Sequence, residues 1–166
     1  MRGVPKRLGL ALLILGLLSV VTSVFEDAQA QERESYSGLP VPRFVALKND
    51  KVFGRAGPNL DVVVIYQKRG LPVKVIAEDP DNDWRRVEDH TGRRVWINKV
   101  MLVENKHAVT LSPGILFAEP TEDALPRARV EEGVMAKLET CRGEWCRIRT
   151  KSYRGWTEKS KLWGTL

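Results

Sequence analysis

The chain has only two cysteines, Cys141 and Cys146, set five positions apart in "CRGEWCRIRT" beside Trp145, Arg142, Arg147 and Arg149. Thiols at this spacing could ligate a metal, run redox chemistry or close a disulfide. Zinc asks for four ligands, typically in closely spaced pairs, and His90 and His107 stand isolated in the sequence. A redox pair is usually Cys-x-x-Cys near a helix start, whereas here the thiols lie in a strand-like context. In an oxidising compartment two cysteines and no others read as a structural disulfide.

The compartment is read from the N-terminus. Arg2, Lys6 and Arg7 precede an uncharged run from Leu8 to Phe25, and "AQA" at residues 28–30 offers the small residues a signal peptidase inspects. Residues 1–30 therefore read as a signal peptide cut after Ala30. Left uncut, the run would be an inner-membrane anchor, and that is the one membrane association predicted. Either way the rest of the chain is exported, to the periplasm or beyond.

Other titratable residues offer little chemistry. His90 in "EDHTGRR" and His107 in "ENKHAV" read as solvated loop residues, so neither is a catalytic base. Asp79, Asp81 and Asp83 alternate, but they lack the glycine turn and distal glutamate of an EF-hand and read as a charged turn. No metal site and no cofactor is predicted. The formal net charge is +6, and removing the signal's three basic and two acidic residues leaves +5. That excess suits acidic partners and is too mild for a nucleic-acid footprint.

The elements that position these residues come in two copies. Residues 31–42 form a polar, Pro-punctuated extended leader. After it, Pro58, Gly70, Trp84, Trp96 and Leu102 recur as Pro120, Gly133, Trp145, Trp156 and Leu162, at offsets of 62, 63, 61, 60 and 60 residues. Five landmarks in order at nearly one spacing make an internal duplication. Each unit reads as short β-branched strands, such as "VVVIY", "LPVKVIAE" and "WRRVED", separated by turns such as "QKRG" and "HTG". The prediction is all-β: two tandem small β-barrels over residues 43–103 and 104–166.

Strand alternation orients the opening stretch. Cys146 and Ile148 fall on one face, and Trp145, Arg147, Arg149 and Lys151 on the other. Cys141 ends the preceding strand, so its bond to Cys146 would clamp a hairpin turn, with about 2 kcal/mol from constraining the unfolded chain. With Cys146 turned inward, Cys141 is expected inward too. The opposite face is an aromatic and basic stripe, begun again in the first unit by Trp84 and Arg86. Rings there could stack on a sugar or peptide plane while guanidinium groups hold carboxylates or phosphates. Alternatively the rings plug barrel ends and the cations solvate the strand. Trp96 and Trp156, in the closing strands, are predicted to be core.

The run "KVFGRAGPN", "RGLPVKVIAE", "DWRRVED", "GRRVWI" resembles the bacterial Src-homology-3-like (SH3b) domain. That family's Arg-x-Gly-Pro turn falls on Arg55, Gly57 and Pro58, its inter-strand glycine on Gly70, its Trp-x-x-Val strand on Trp84 and Val87, and its closing Trp and hydrophobic residue on Trp96 and Leu102. Residues 104–166 resemble it through Pro120, Gly133, Trp145, Ile148, Gly155, Trp156 and Leu162. Three departures stand out: Phe53-Gly54 replaces an asparagine and an aliphatic residue, Val95 replaces the glycine before Trp96, and "FAEP" replaces the second turn. The layout is similar to exported SH3-like proteins of Gram-negative bacteria. The resemblance implies a non-enzymatic binding module of the cell envelope, recognising a cell-wall peptide or another anionic envelope polymer. The other function class it allows is a scaffold docking an envelope enzyme or secreted partner. Cell-wall hydrolases with such modules carry a separate catalytic domain, for which this chain has no room. The turn carrying Arg55 often shapes ligand choice in such domains, which adds Arg55 to the candidate binding residues.

Overall fold

The computed structural model describes residues 35–166; the predicted signal peptide and residues 31–34 of the leader lie outside the described residues. Among the described residues the regular structure is strands and two short 3-10 turns, and no helix is long and apolar enough to cross a membrane.

The first repeat contains β1 (Arg43–Leu47), β2 (Val52–Arg55), β3 (Val62–Tyr66), β4 (Pro72–Glu78), β5 (Trp84–Glu88), β6 (Arg94–Asn98) and β7 (Leu102–Glu104). The second contains β8 (His107–Thr110), β9 (Gly114–Phe117), β10 (Pro126–Val130), β11 (Met135–Arg142), β12 (Trp145–Arg149), β13 (Arg154–Glu158) and β14 (Leu162–Trp163). Each repeat is one antiparallel seven-stranded sheet, ordered β3-β2-β6-β5-β4-β1-β7 and β10-β9-β13-β12-β11-β8-β14. These orders are the same topology written twice, which is the duplication the landmark spacing predicts.

The cores follow from period-two patterning. Leu47, Val52, Val73, Val75, Val87, Val95 and Ile97 fill the first, and Leu116, Val130, Ala136, Cys146, Ile148 and Leu162 the second. The first core also takes residues from the second repeat: Val109 is buried in it, with Met135 and Trp163 packed against it. Trp163 donates its indole N–H to the Pro72 carbonyl at 3.0 Å and meets the Phe44 ring edge-on at 5.1 Å. The two repeats are therefore fused through the C-terminal tryptophan. Gly70, at φ +79°, makes this possible, because a Cβ there would stand 3.0 Å from the His107 ring.

Two departures from the family pattern compensate each other. A Cβ on Gly54 would meet Val95 at 2.8 Å, and a Cβ on Gly155 would meet Leu116 at 2.8 Å. Register makes Gly54 the counterpart of Leu116 and Val95 that of Gly155. The small and large residues have changed strands while the summed volume is kept, the kind of exchange cores tolerate.

The sheet edges differ. β3 presents Val63 and Ile65 outward at 58% and 47% exposure, beside exposed Phe53. Its counterpart β10 carries Pro126, Arg127 and Arg129, the residue types that discourage edge pairing.

Candidate functional site

Cys141 and Cys146 form the disulfide, directly opposite in the β11–β12 ladder with their Cα atoms 4.0 Å apart. The turn between them is Gly143-Glu144, with positive φ at Gly143 alone, the pattern of a type II′ hairpin. Cys146 is fully buried beside Ile148, but Cys141 is exposed, which corrects the expectation that both side chains point inward. A cross-strand pair can do this because sheet twist leaves the strand end outside the core.

The outer faces of the two sheets carry the remaining candidate residues. In the first repeat Arg55 and Arg86 both lie opposite Trp96, and the Arg55 guanidinium sits 5.8 Å from the Trp84 ring centre. Arg55 also donates to the Leu60 carbonyl at 2.7 Å, closing the Gly57-Pro58 turn. Trp84 is only 9% exposed, so its ring offers no open platform, while Arg86 is exposed. In the second repeat the same places hold Phe117, Trp156 and Arg147. Phe117 meets the half-buried Trp145 edge-on at 5.8 Å, where Arg55 caps Trp84.

Trp96 and Trp156 are not in either core cluster. Both share the outer face with Arg86 and Arg147, and Trp156, 4% exposed, has two arginines over its ring. Trp156 is thus buried as predicted, though on the arginine side of its strand, whereas Trp96 is only half-buried, because β6 turns Val95 and Ile97 inward instead. Lys151 also leaves the stripe. β12 ends at Arg149, the chain bends, and Lys151 lines a different cleft with Arg129 and Tyr153.

The residue that organises the second outer face is Glu139, which sequence reading missed. The register of β11 against β12 shifts between Leu138 and Thr140, so Glu139 is the extra residue of a bulge. β4 shifts at the matching point, between Val75 and Ala77, with Ile76 as the extra residue. Bulges re-aim a side chain, and here the re-aimed side chain is a carboxylate. Its oxygens lie 2.6 Å from Arg154 Nε, 3.1 Å from Arg147 Nε and 3.3 Å from Arg149 Nε. Arg154 donates a hydrogen bond; Arg147 Nε is buried, close to the same oxygen but off the bonding direction. Burial pushes the Glu139 carboxyl up, yet the Arg154 hydrogen bond and the charges of Arg154, Arg147 and Arg149 outweigh it and hold the pKa below the ordinary carboxylate value.

Beside this cluster is a cleft of about 320 Å³ lined by Arg127, Arg142, Arg147, Arg154, Trp156, Ala118 and Glu119. The guanidinium groups of Arg142 and Arg147 stand 5.4 and 5.6 Å from the Trp156 ring centre, within cation–π range. Among the described residues Arg127 and Arg142 have no carboxylate within ion-pair distance. The cleft thus brings Arg147 together with three arginines outside the predicted stripe. Their proximity depends on cross-strand register and on a bulge, neither of which a single strand's parity contains.

Among the described residues no three His, Cys, Asp or Glu side chains are grouped to hold a metal ion. His107 is a strand residue rather than a solvated loop residue, with Nδ1 buried and unpartnered. Burial, then the charge of Lys137, pushes its pKa below the usual histidine value.

Comparison with known proteins places this geometry. A search of curated proteins returns no match. Among solved structures the chain is similar to NlpC2 from Trichomonas vaginalis, at 16% identity and a TM-score of 0.35 over 74% of this chain, and to NlpC1 from the same organism, at 16% identity and 0.35 over 79%. The chain spans 48% of each of those proteins. The Bacterial SH3 domain profile matches twice, at residues 48–103 and 112–164, each match beginning after the first strand of its sheet. Such domains are typically cell-wall binding modules, and the chain belongs to the bacterial SH3 domain family, which it carries in tandem.

Proposed function

We propose that the protein is a non-enzymatic, exported module that binds a carboxylate-bearing component of the cell wall, such as peptidoglycan stem peptides, through the outer face of its second repeat. The observation that carries this reading is the cluster of guanidinium groups around Trp156, two of them without an acidic partner among the described residues. Guanidinium forks match carboxylates in a bidentate geometry. The disulfide suits an oxidising compartment. Within the face, Arg147 and Arg149 are proposed as ligand-holding residues and Trp145 as their support. Trp84, Arg86 and Arg55 form the weaker counterpart in the first repeat.

Pull-down on purified sacculi tests the reading. The parent protein is expected to be retained and released by high salt. Arg147→Ala with Arg149→Ala is expected to weaken retention roughly tenfold, the loss of one charge-assisted hydrogen bond or more. Retention unchanged in the double variant would remove this face from the account.

A second reading, a docking scaffold for an envelope protein, is favoured by one observation: the uncharged outward residues of β3, Val63 and Ile65, beside Phe53. An extended partner segment could add to that edge by backbone pairing. Capture of an envelope protein in place of sacculi, lost in Ile65→Lys, would support it.

A further inference from the structure

Four guanidinium groups line the Trp156 cleft together with one carboxylate, Glu119, and a second carboxylate, Glu139, pairs with two of the four and is shared with Arg149. Two positive charges are left uncompensated. A volume of about 320 Å³ is the space of roughly ten waters, several times what one carboxylate fills. Charge and space together suit two carboxylates on a short backbone.

The cleft is also built in advance. Arg147 and Arg154 both have Nε within ion-pair distance of Glu139, whose side chain is 13% exposed, and both line the cleft as well. Arg154 donates its Nε–H to that carboxylate, and a planar guanidinium held at Nε has its orientation fixed, so its outer N–H groups are set before a ligand arrives. Arg147 is positioned instead by the charge of Glu139 and by the Trp156 ring. The first repeat has the same bulge with Ile76 in place of Glu139, so nothing there gathers arginines in this way.

We infer that the Trp156 cleft is a clamp for paired carboxylates of a short acidic peptide, with Arg127, Arg142, Arg147 and Arg154 as ligand-holding residues and Glu139 as the positioning residue. The inference rests on the reading of this outer face as the binding face, and it names the chemistry that the face takes.

Calorimetric titration of the full exported chain tests it, with N-acetylglutamate as the two-carboxylate probe, N-acetylglutamine as the one-carboxylate control and inorganic phosphate as the rival anion. N-acetylglutamate is expected to bind roughly tenfold tighter than N-acetylglutamine. Arg127→Ala with Arg142→Ala should abolish that preference while the protein stays folded, with a small drop in melting temperature from the lost Arg142–Trp156 contact, since neither side chain holds an acidic partner. Equal binding of the two probes, tighter binding of phosphate, or an unaffected double variant would each overturn the assignment. Glu139→Gln separates positioning from bulk charge. It removes a negative charge, which alone would tighten N-acetylglutamate binding, whereas a positioning role predicts weakening by about threefold or more; tighter binding would overturn the role of Glu139. Retention on sacculi, followed in the same preparations, keeps the two readings apart. Probe selectivity without sacculus retention would sink the envelope reading and leave the clamp standing, and retention without selectivity would do the reverse.

Discussion

Glu78 faces Arg85 in the first repeat where Cys141 faces Cys146 in the second, at the same position of the ladder between the fourth and fifth strands of each sheet. The Glu78–Arg85 ion pair, 3.1 Å long, is almost completely buried. A buried charge needs every lone pair satisfied, and the surroundings supply this. Glu78 accepts from Ser37 N at 2.8 Å, Ser37 Oγ at 2.7 Å and Arg43 at 2.7 Å, while Arg85 donates to Asn82 and to the Trp84 carbonyl. The leader is drawn down over the first repeat to do so, with Val41 entering the core. A disulfide carries no charge and asks for no escort. Its outer cysteine stays exposed, and the neighbouring Arg142 is free to line a cleft, where the matching Asp79 is buried and caps the Trp84 amide. One repeat has thus sealed this corner and the other has left it open.

The comparison is most sharply broken at Glu78. Glu78→Ala leaves Arg85 and Arg43 without their carboxylate, and urea unfolding is expected to show a loss of about 3–5 kcal/mol, the usual result of orphaning a buried charge. The exchange Glu78→Cys with Arg85→Cys, once oxidised, should melt above Glu78→Ala; a lower melting point would mean that the two ladder positions are not equivalent. Next in size is Cys141→Ser with Cys146→Ser. It should lose about 2 kcal/mol, because closing so short a loop removes little unfolded-state entropy, and should leave sacculus binding near the parent level. Loss of binding at an unchanged melting temperature would show that the disulfide shapes the cleft and is not only a staple.

The Glu78 contribution is full near neutral pH and is lost on acidification. Burial pushes the Glu78 carboxyl up, but hydrogen bonds from Ser37 and Arg43 and the charge of Arg85 bring it down to about 2, from 4.5. A lowered folded-state pKa gives stability that is full above about 4.5 and is lost as pH falls toward 2. Glu139, Asp89 and Glu158 are lowered as well, so the difference between parent and Glu78→Gln is the informative quantity. That difference should shrink steadily between pH 4.5 and 2; a gap independent of pH would show that Glu78 contributes shape and not charge.

What the sequence displays clearly is whatever depends on local pattern. The duplication, the all-β class, the inward Cys146 and Ile148 and the disulfide all follow from spacing and period-two alternation. What it hides depends on pairing between strands. Trp96 looks like a core residue because it is large and apolar, yet parity against Val95 and Ile97 leaves it half-buried on the other face, while Trp156 is buried as expected but beside arginines that its own strand does not announce. Lys151 continues the stripe on paper, but its strand stops at Arg149. Glu139 is silent because a bulge cannot be read from one strand. The nearest signal is an acidic residue in "AKLETC" facing the arginines of "WCRIR". The fusion of the repeats through Trp163 is likewise a long-range contact with no local mark.

The claim that the open corner is the binding corner is tested most directly by comparing retention on sacculi for two matched variants, Arg55→Ala with Arg86→Ala in the first repeat and Arg147→Ala with Arg149→Ala in the second. The account predicts that the first binds within about twofold of the parent and the second roughly tenfold more weakly, both remaining folded by circular dichroism. Equal losses, or a greater loss from the first repeat, would contradict it.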